Sequence, residues 1–232
     1  GWNKSMQKGI VIPDTCMDII FDINYTKNTW SEVFCGLDDR SEITQGDVFA
    51  DTVSTFGIRF YAWTACLFTD MPLDQTKNGR FSCDAFVKEI KRALMPVLLD
   101  HPSMEERIMA AECLLLKKLQ KARADANVLN AVYRMLETQG REKINAIENY
   151  TGVSRRSLER AFQKQMGISP KTFSSLVRYQ MLWQEMVFQR QFDILDAVEK
   201  YGYTDQAHLL HDFHSRHQMS PKEAIIFADS KR

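Results

Sequence analysis

Six charged or amide side chains, Arg155, Arg156, Glu159, Arg160, Gln163 and Lys164, fall within ten consecutive residues. At the helical step of about 100° per residue, Leu158, Ala161, Phe162 and Gln165 share one side. Arg156, Glu159, Arg160 and Gln163 then lie opposite. Arginine can donate two hydrogen bonds to guanine O6 and N7, glutamine pairs with adenine, and glutamate accepts from cytosine N4. Arg155, Lys164 and Lys171 flank that face, where backbone phosphates would run. A plain solvated helix surface has the same residue types, so this face needs a second signal.

The second signal is a repeat. Phe162-Gln-Lys-Gln-Met-Gly-Ile-Ser-Pro-Lys171 returns 51 residues later as Phe213-His-Ser-Arg-His-Gln-Met-Ser-Pro-Lys222, and Leu158 returns as Leu209. Each copy lies downstream of a glycine turn, Gly152-Val-Ser154 and Gly202-Tyr-Thr204. Two short helix–turn–helix units are expected. The second helix would bury Leu209 and Phe213 and present Ala207, Leu210, His211 and His214. Ala207 and Leu210 suit thymine methyl groups, or Leu210 packs on a neighbour, and Asp212 would repel phosphate if it faced a duplex. His208, His211, His214 and His217 recur every third residue, a spacing that spreads them over half the helix circumference. They cannot converge on one metal ion and are read as surface or DNA-facing histidines.

The elements that position these residues are set by caps and punctuation. Helices are expected over 127–138, 143–150, Arg155–Met166, Pro170–Phe188, Ile194–Lys200, 205–217 and 221–227. Ser169 and Ser220 would cap helices that begin at Pro170 and Pro221. Further upstream, 85–94 reads as a helix, with Pro96 and Pro102 punctuating the residues beyond it. Ser103 would cap the next, with Glu105 and Glu106 in its first turn and Ile108, Ala111, Leu115 and Leu119 on one stripe. That stripe either packs on its own domain or forms a dimer seam. The first 80 residues read as strands and turns: 19–23, 33–35, 48–49 and 58–61. Arg59 would be an alternating strand residue, and Trp30, Trp63 and Phe68 either core or pocket aromatics.

Composition sets bounds on this reading. The 232 residues are 44% hydrophobic and 26% charged, ordinary for a soluble globular protein, with apolar runs far short of a membrane span. The chain opens at Gly1, as a processed or truncated N-terminus would, and no signal peptide is visible. Five scattered cysteines with no C-x-x-C pair read as reduced thiols of an intracellular protein, with no metal site. Net charge is zero, but residues 141–190 carry nine Lys/Arg against four Asp/Glu, whereas 191–232 carry five against seven. One repeat is basic and the other is not. No nucleophile–base pair, P-loop or H-E-x-x-H motif is present, so neither an enzyme nor a cofactor is expected.

Gly-Val-Ser-Arg-Arg-Ser-Leu-Glu-Arg-Ala-Phe (152–162) with Gly167-Ile-Ser-Pro170 resembles the first helix–turn–helix of AraC/XylS-type transcription regulators. Tyr201-Gly-Tyr-Thr-Asp-Gln-Ala-His-Leu-Leu-His-Asp-Phe213, closing with Met219-Ser-Pro221, is similar to the second. The resemblance covers 125–230. Val11-Ile-Pro-Asp-Thr-Cys-Met-Asp-Ile-Ile-Phe21 and Phe56-Gly-Ile-Arg-Phe60 also look like the regulatory half of one branch.

The resemblance implies an α+β chain: a β-rich or mixed regulatory domain (1–82), a helical linker or dimerisation segment (83–124), and an all-α DNA-binding domain of about seven helices (125–232). A long helix would join the two units, each placing a recognition helix in successive major-groove segments of double-stranded promoter DNA. By motif position Arg156, Glu159 and Arg160 contact DNA in the first unit, and Gln206, Ala207, Leu210 and His211 in the second. His211 stands where the family usually has arginine, and Gln218 where it has glycine. The first unit is therefore expected to supply most affinity, the second position or partner contacts. The resemblance thus implies a cytoplasmic, bacterial-type regulator, one that would activate through RNA polymerase or repress by blocking it. Its N-terminal half would sense a small-molecule effector or dimerise through 103–123. The alternative is a ligand-sensing or protein-interaction module whose helical half has lost specific DNA binding.

Overall fold

Every second residue from Met17 to Ile23 is apolar and buried, the pattern of a strand with one face on a core. A computed structural model describes residues 7–46, 53–100, 103–188 and 192–230. Its strands are β1 (Gln7–Val11), β2 (Cys16–Asn24), β3 (Thr29–Cys35), β4 (Glu42–Gly46), β5 (Val53–Tyr61) and β6 (Arg80–Phe81). β1 and β4 pair antiparallel, and the others form an antiparallel sheet ordered β5-β2-β3-β6. The register sets Met17 opposite Phe60, Phe21 opposite Phe56 and Ile19 opposite Phe34, which puts a continuous aromatic and aliphatic layer on one face. On the outer face Arg59 binds Asp18 (2.8 Å) and Asp14 (2.9 Å), as expected of an alternating strand residue.

Helices α1 (Ala62–Ala65), α2 (Cys83–Phe86), α3 (Lys88–Leu99) and α4 (Met104–Lys121) come after the main strands of the sheet. α3 buries Ile90, Leu94 and Leu98 at helical spacing. Lys91 Nζ sits 2.7 Å from Glu32 Oε1, and Glu32 also accepts from the Cys83 amide, so an ion pair fastens this helix to β3. A single helix over 85–94 is not what forms. The backbone breaks at Val87 (φ −137°, ψ 39°), which lets Phe86 stack on Phe34, and α3 then continues through Pro96. Proline removes one rung at a cost of about 3 kcal/mol, offset here by burying Met95 and Leu98. The expected strand 48–49 and Pro102 lie outside the described residues.

Ser103 caps α4 with a full capping box to Glu106. Of its stripe, Ala111 is buried and Leu115 half-buried, while Ile108 and Leu119 remain exposed. Arg107 on the same helix is buried and donates to Ser54 Oγ (2.7 Å) and to the Tyr25 hydroxyl. Trp30 is exposed beneath the Lys91 ammonium, so it belongs to neither core nor pocket. Phe68 is buried and stacks on Phe60.

From Ala126 onward the described residues form seven helices: α5 (Ala126–Glu137), α6 (Ile144–Thr151), α7 (Arg155–Met166), α8 (Pro170–Phe188), α9 (Ile194–Lys200), α10 (Gln206–His217) and α11 (Pro221–Asp229). The molecule is α+β, a sheet-rich first part followed by an all-helical one. The two parts meet where α1 packs on α5 and α7, and Trp63 sets its ring edge-on to Phe173 at 5.9 Å. No helix among the described residues is long and apolar enough to cross a membrane.

Candidate nucleic-acid interface

Two helix pairs, α6–α7 and α9–α10, are built alike. Gly152 ends α6 at φ +68°, and Gly202 comes just after α9 at φ +66°, each turning the chain through the left-handed region that glycine enters without strain. Ser154 and Asp205 then cap the next helices, accepting from the amides of Ser157 (3.4 Å) and His208 (2.8 Å). Leu158, Phe162 and Met166 seat α7, and Leu209 and Phe213 seat α10, all fully buried. α8 passes between the pairs, meeting α7 on one side and α10 and α11 on the other.

Burying those apolar faces leaves the opposite faces outside. In the first unit Arg155, Arg156, Glu159, Arg160, Gln163, Lys164 and Lys171 are all exposed. Arg155 pairs with Glu159 (Nε to Oε1, 3.0 Å), an exposed i, i+4 contact worth under about 0.5 kcal/mol that a duplex could displace. Arg156, Arg160, Lys164 and Lys171 make no ion pair among the described residues. Gln163 differs from expectation: its Nε2 donates to the Asp74 carbonyl (2.7 Å) and the Gly167 carbonyl (3.1 Å). That amide is held by the sheet-rich part and is not free to pair with adenine here.

In the second unit Gln206, Ala207 and His211 are exposed and Leu210 is half-buried. Asp212 does not face outward. It accepts from Tyr203 Oη (2.9 Å) and Ser175 Oγ (3.2 Å) and pairs with Arg216 Nε (3.3 Å), tying α10 to α8. Burial, reinforced by this carboxylate, pushes the Tyr203 hydroxyl well above the usual tyrosine range, so it remains a donor. The histidines divide. His208, His211 and His214 are exposed as expected, but His217 is 1% exposed. Its ring stacks on Phe213 and its Nδ1 lies 2.7 Å from Tyr179 Oη. The expectation of a surface residue fails because position 217 is on the same helix face as Phe213, one turn on.

One cation escaped sequence reasoning. Arg123, just past α4, lines with Arg160 and Lys164 a cleft of roughly 930 Å³ between the two parts. The two carboxylates in that cleft are engaged elsewhere, Asp125 capping α5 and accepting from Gln165, and Asp70 near Lys118. A surplus of unpaired positive charge therefore surrounds α7. Arg123 lies 32 residues before α7, too far along the chain for any local pattern to have joined them.

Residues 147–225 match the family described as a helix-turn-helix domain, and residues 1–82 match a domain of unknown function (DUF6597). No curated protein matches the chain. Among solved structures it is similar to an AraC-type DNA-binding domain-containing regulator from Chromobacterium violaceum, with 24% identity over 43% of this chain and 89% of that one, TM-score 0.40. A probable AraC family transcriptional regulator from Rhodopseudomonas palustris CGA009 shows 23% identity over 45% and 98%, TM-score 0.40. ToxT from Vibrio cholerae shows 12% identity over 96% and 98%, TM-score 0.47. Both motif blocks, on α6–α7 and α9–α10, fall within residues 147–225, and the chain therefore carries a helix-turn-helix domain there.

Proposed function

We propose that the chain reads two adjacent major-groove segments of promoter DNA, one with the exposed face of α7 and one with that of α10. The observation that carries this reading is the duplicated architecture: two capped helices of twelve residues, each seated by a Leu and a Phe four residues apart, with the first turn left outside. Arg156, Glu159 and Arg160 would read bases in the first unit, with Arg155, Lys164, Lys171 and Arg123 on phosphates. Gln206, Ala207, Leu210 and His211 would form the weaker, nearly uncharged second reader. The N-terminal part would carry an effector response or a dimer contact through 103–123, and the regulator would act through or against RNA polymerase.

Selection of bound sequences from a random duplex library, at two salt concentrations, tests this directly. A bipartite motif with elements about one helical turn apart is the expected result. A single short element would remove α10 as a base reader. No enrichment by the folded protein would sink the DNA reading and leave a sensing or interaction module.

A further inference from the structure

Gln218 holds a left-handed backbone, φ +59°, at the end of α10, where the matching position after α7 is Gly167 at φ +71°. A side chain in that region costs more than glycine does. Here the side chain is used: Gln218 Nε2 donates to the Ser41 carbonyl at 2.5 Å. The rest of that loop completes the contact. The Ser41 amide donates to the Arg216 carbonyl (2.6 Å), Ser41 Oγ to the His217 carbonyl (2.7 Å), and Arg216 Nη1 to the Asp39 carbonyl (3.3 Å). Carbonyls at a helix C-terminus have no partner within the helix, and for α10 the sheet-rich part supplies them.

The first unit is gripped at the same place. The Leu73 amide donates to the Lys164 carbonyl at 2.9 Å, and Gln163 returns a bond to Asp74. Gly167 lies so close that a Cβ there would come 2.5 Å from the Leu73 carbonyl. The two gripping loops are also bound to each other. Asp39 and Asn78 exchange two hydrogen bonds (2.9 and 2.8 Å), Lys77 Nζ sits 2.5 Å from Asp39, and the Gly36 amide donates to the Gly79 carbonyl (3.0 Å). Gly36 itself has no room for a Cβ, which would lie 1.8 Å from the Thr76 carbonyl.

We propose that loops 36–41 and 73–79 form one rigid bracket across the C-terminal ends of both recognition helices and set their separation, with Ser41 and Gln218 as the positioning residues of the second. This rests on the two-segment DNA reading above. The bracket would make the protein selective for one spacing between its two DNA elements, because changing the spacing requires either breaking the bracket or bending the duplex.

The test uses the full chain and the bipartite site recovered by selection, intact and with one base pair inserted between its elements. The variant S41A/Q218G removes both side-chain bonds, and each change suits its place: alanine is smaller than the buried serine, and glycine is at ease at positive φ. The insertion should weaken wild type more than the variant, the two penalties differing by roughly fivefold, about the equilibrium weight of one hydrogen bond. Gln218→Asn keeps an amide in the left-handed region but withdraws it by one methylene, and should fall between them. Equal penalties for wild type and folded variants overturn the bracket. Wild type that selects no DNA is a separate result: it defeats the DNA reading and the bracket falls with it.

Discussion

At the residue scale, His217 shows how burial converts a titratable group into a structural one. It is closed in by Phe213, Trp183 and Tyr179, with no carboxylate among these neighbours, and burial holds its pKa down to about 4. In the unfolded chain an imidazole titrates near 6.5. Because the folded value is the lower one, its contribution is fully present above pH 6.5 and is lost as pH falls toward 4. From pH 6.5 to 5 the loss should be about 2 kcal/mol, before the carboxylates begin to protonate. Urea midpoints measured across that window should fall for wild type and stay nearly level for His217→Phe. That variant leaves Tyr179 Oη without its partner, so its midpoint at pH 8 should be lower by the equivalent of about 1–3 kcal/mol. A wild-type slope retained in the variant would show that another group carries it.

At the scale of elements, α4 leaves an apolar stripe that its own fold only partly covers. Met104, Ile108 and Leu119 are exposed at 49%, 44% and 46%, and the half-buried Leu115 lies along the same stripe. The sheet covers only part of that stripe, near Ala111. A self-complementary seam between two copies would cover the remainder. Sedimentation should then show a dimer at micromolar concentration, and I108E/L119E should shift it to monomer with little change in melting, since both positions already face water. A wild-type monomer at every concentration would remove the seam. The bounds of α7 and α9 and the start of α8 could be read from sequence because caps, a proline and glycines punctuate them: Ser154, Gly167, Pro170, Asp193 and Gly202. Those signals are local. The break at Val87 and the run through Pro96 are decided by Phe86 meeting Phe34 and by what α3 buries, which no window of a few residues contains. The bracket was equally hidden, since Asp39 and Ser41 lie about 175 residues from the α10 carbonyls and side chains they meet.

At the scale of the molecule, charge is distributed so that one unit can hold DNA while the whole is neutral. The balance is +5 over residues 141–190 and −2 over 191–232. The structure sharpens the contrast, because Arg216 of α10 is turned inward toward Asp212, whereas Arg156, Arg160 and Lys164 make no ion pair among the described residues. Each phosphate neutralised releases counterions and adds about 0.9 to the slope of log affinity against log salt. The first unit should therefore set that slope and the second should barely touch it. R156A/R160A should lower affinity for the selected site, and K164A/K171A, which removes two phosphate partners, should flatten the slope by about two. His211→Ala should lower affinity for the second element alone and leave the slope unchanged. An R156A/R160A variant that binds as tightly as wild type would mean that α7 does not carry the contact. A slope that falls with His211 instead would place the electrostatic anchor on α10, although its one arginine, Arg216, is turned inward.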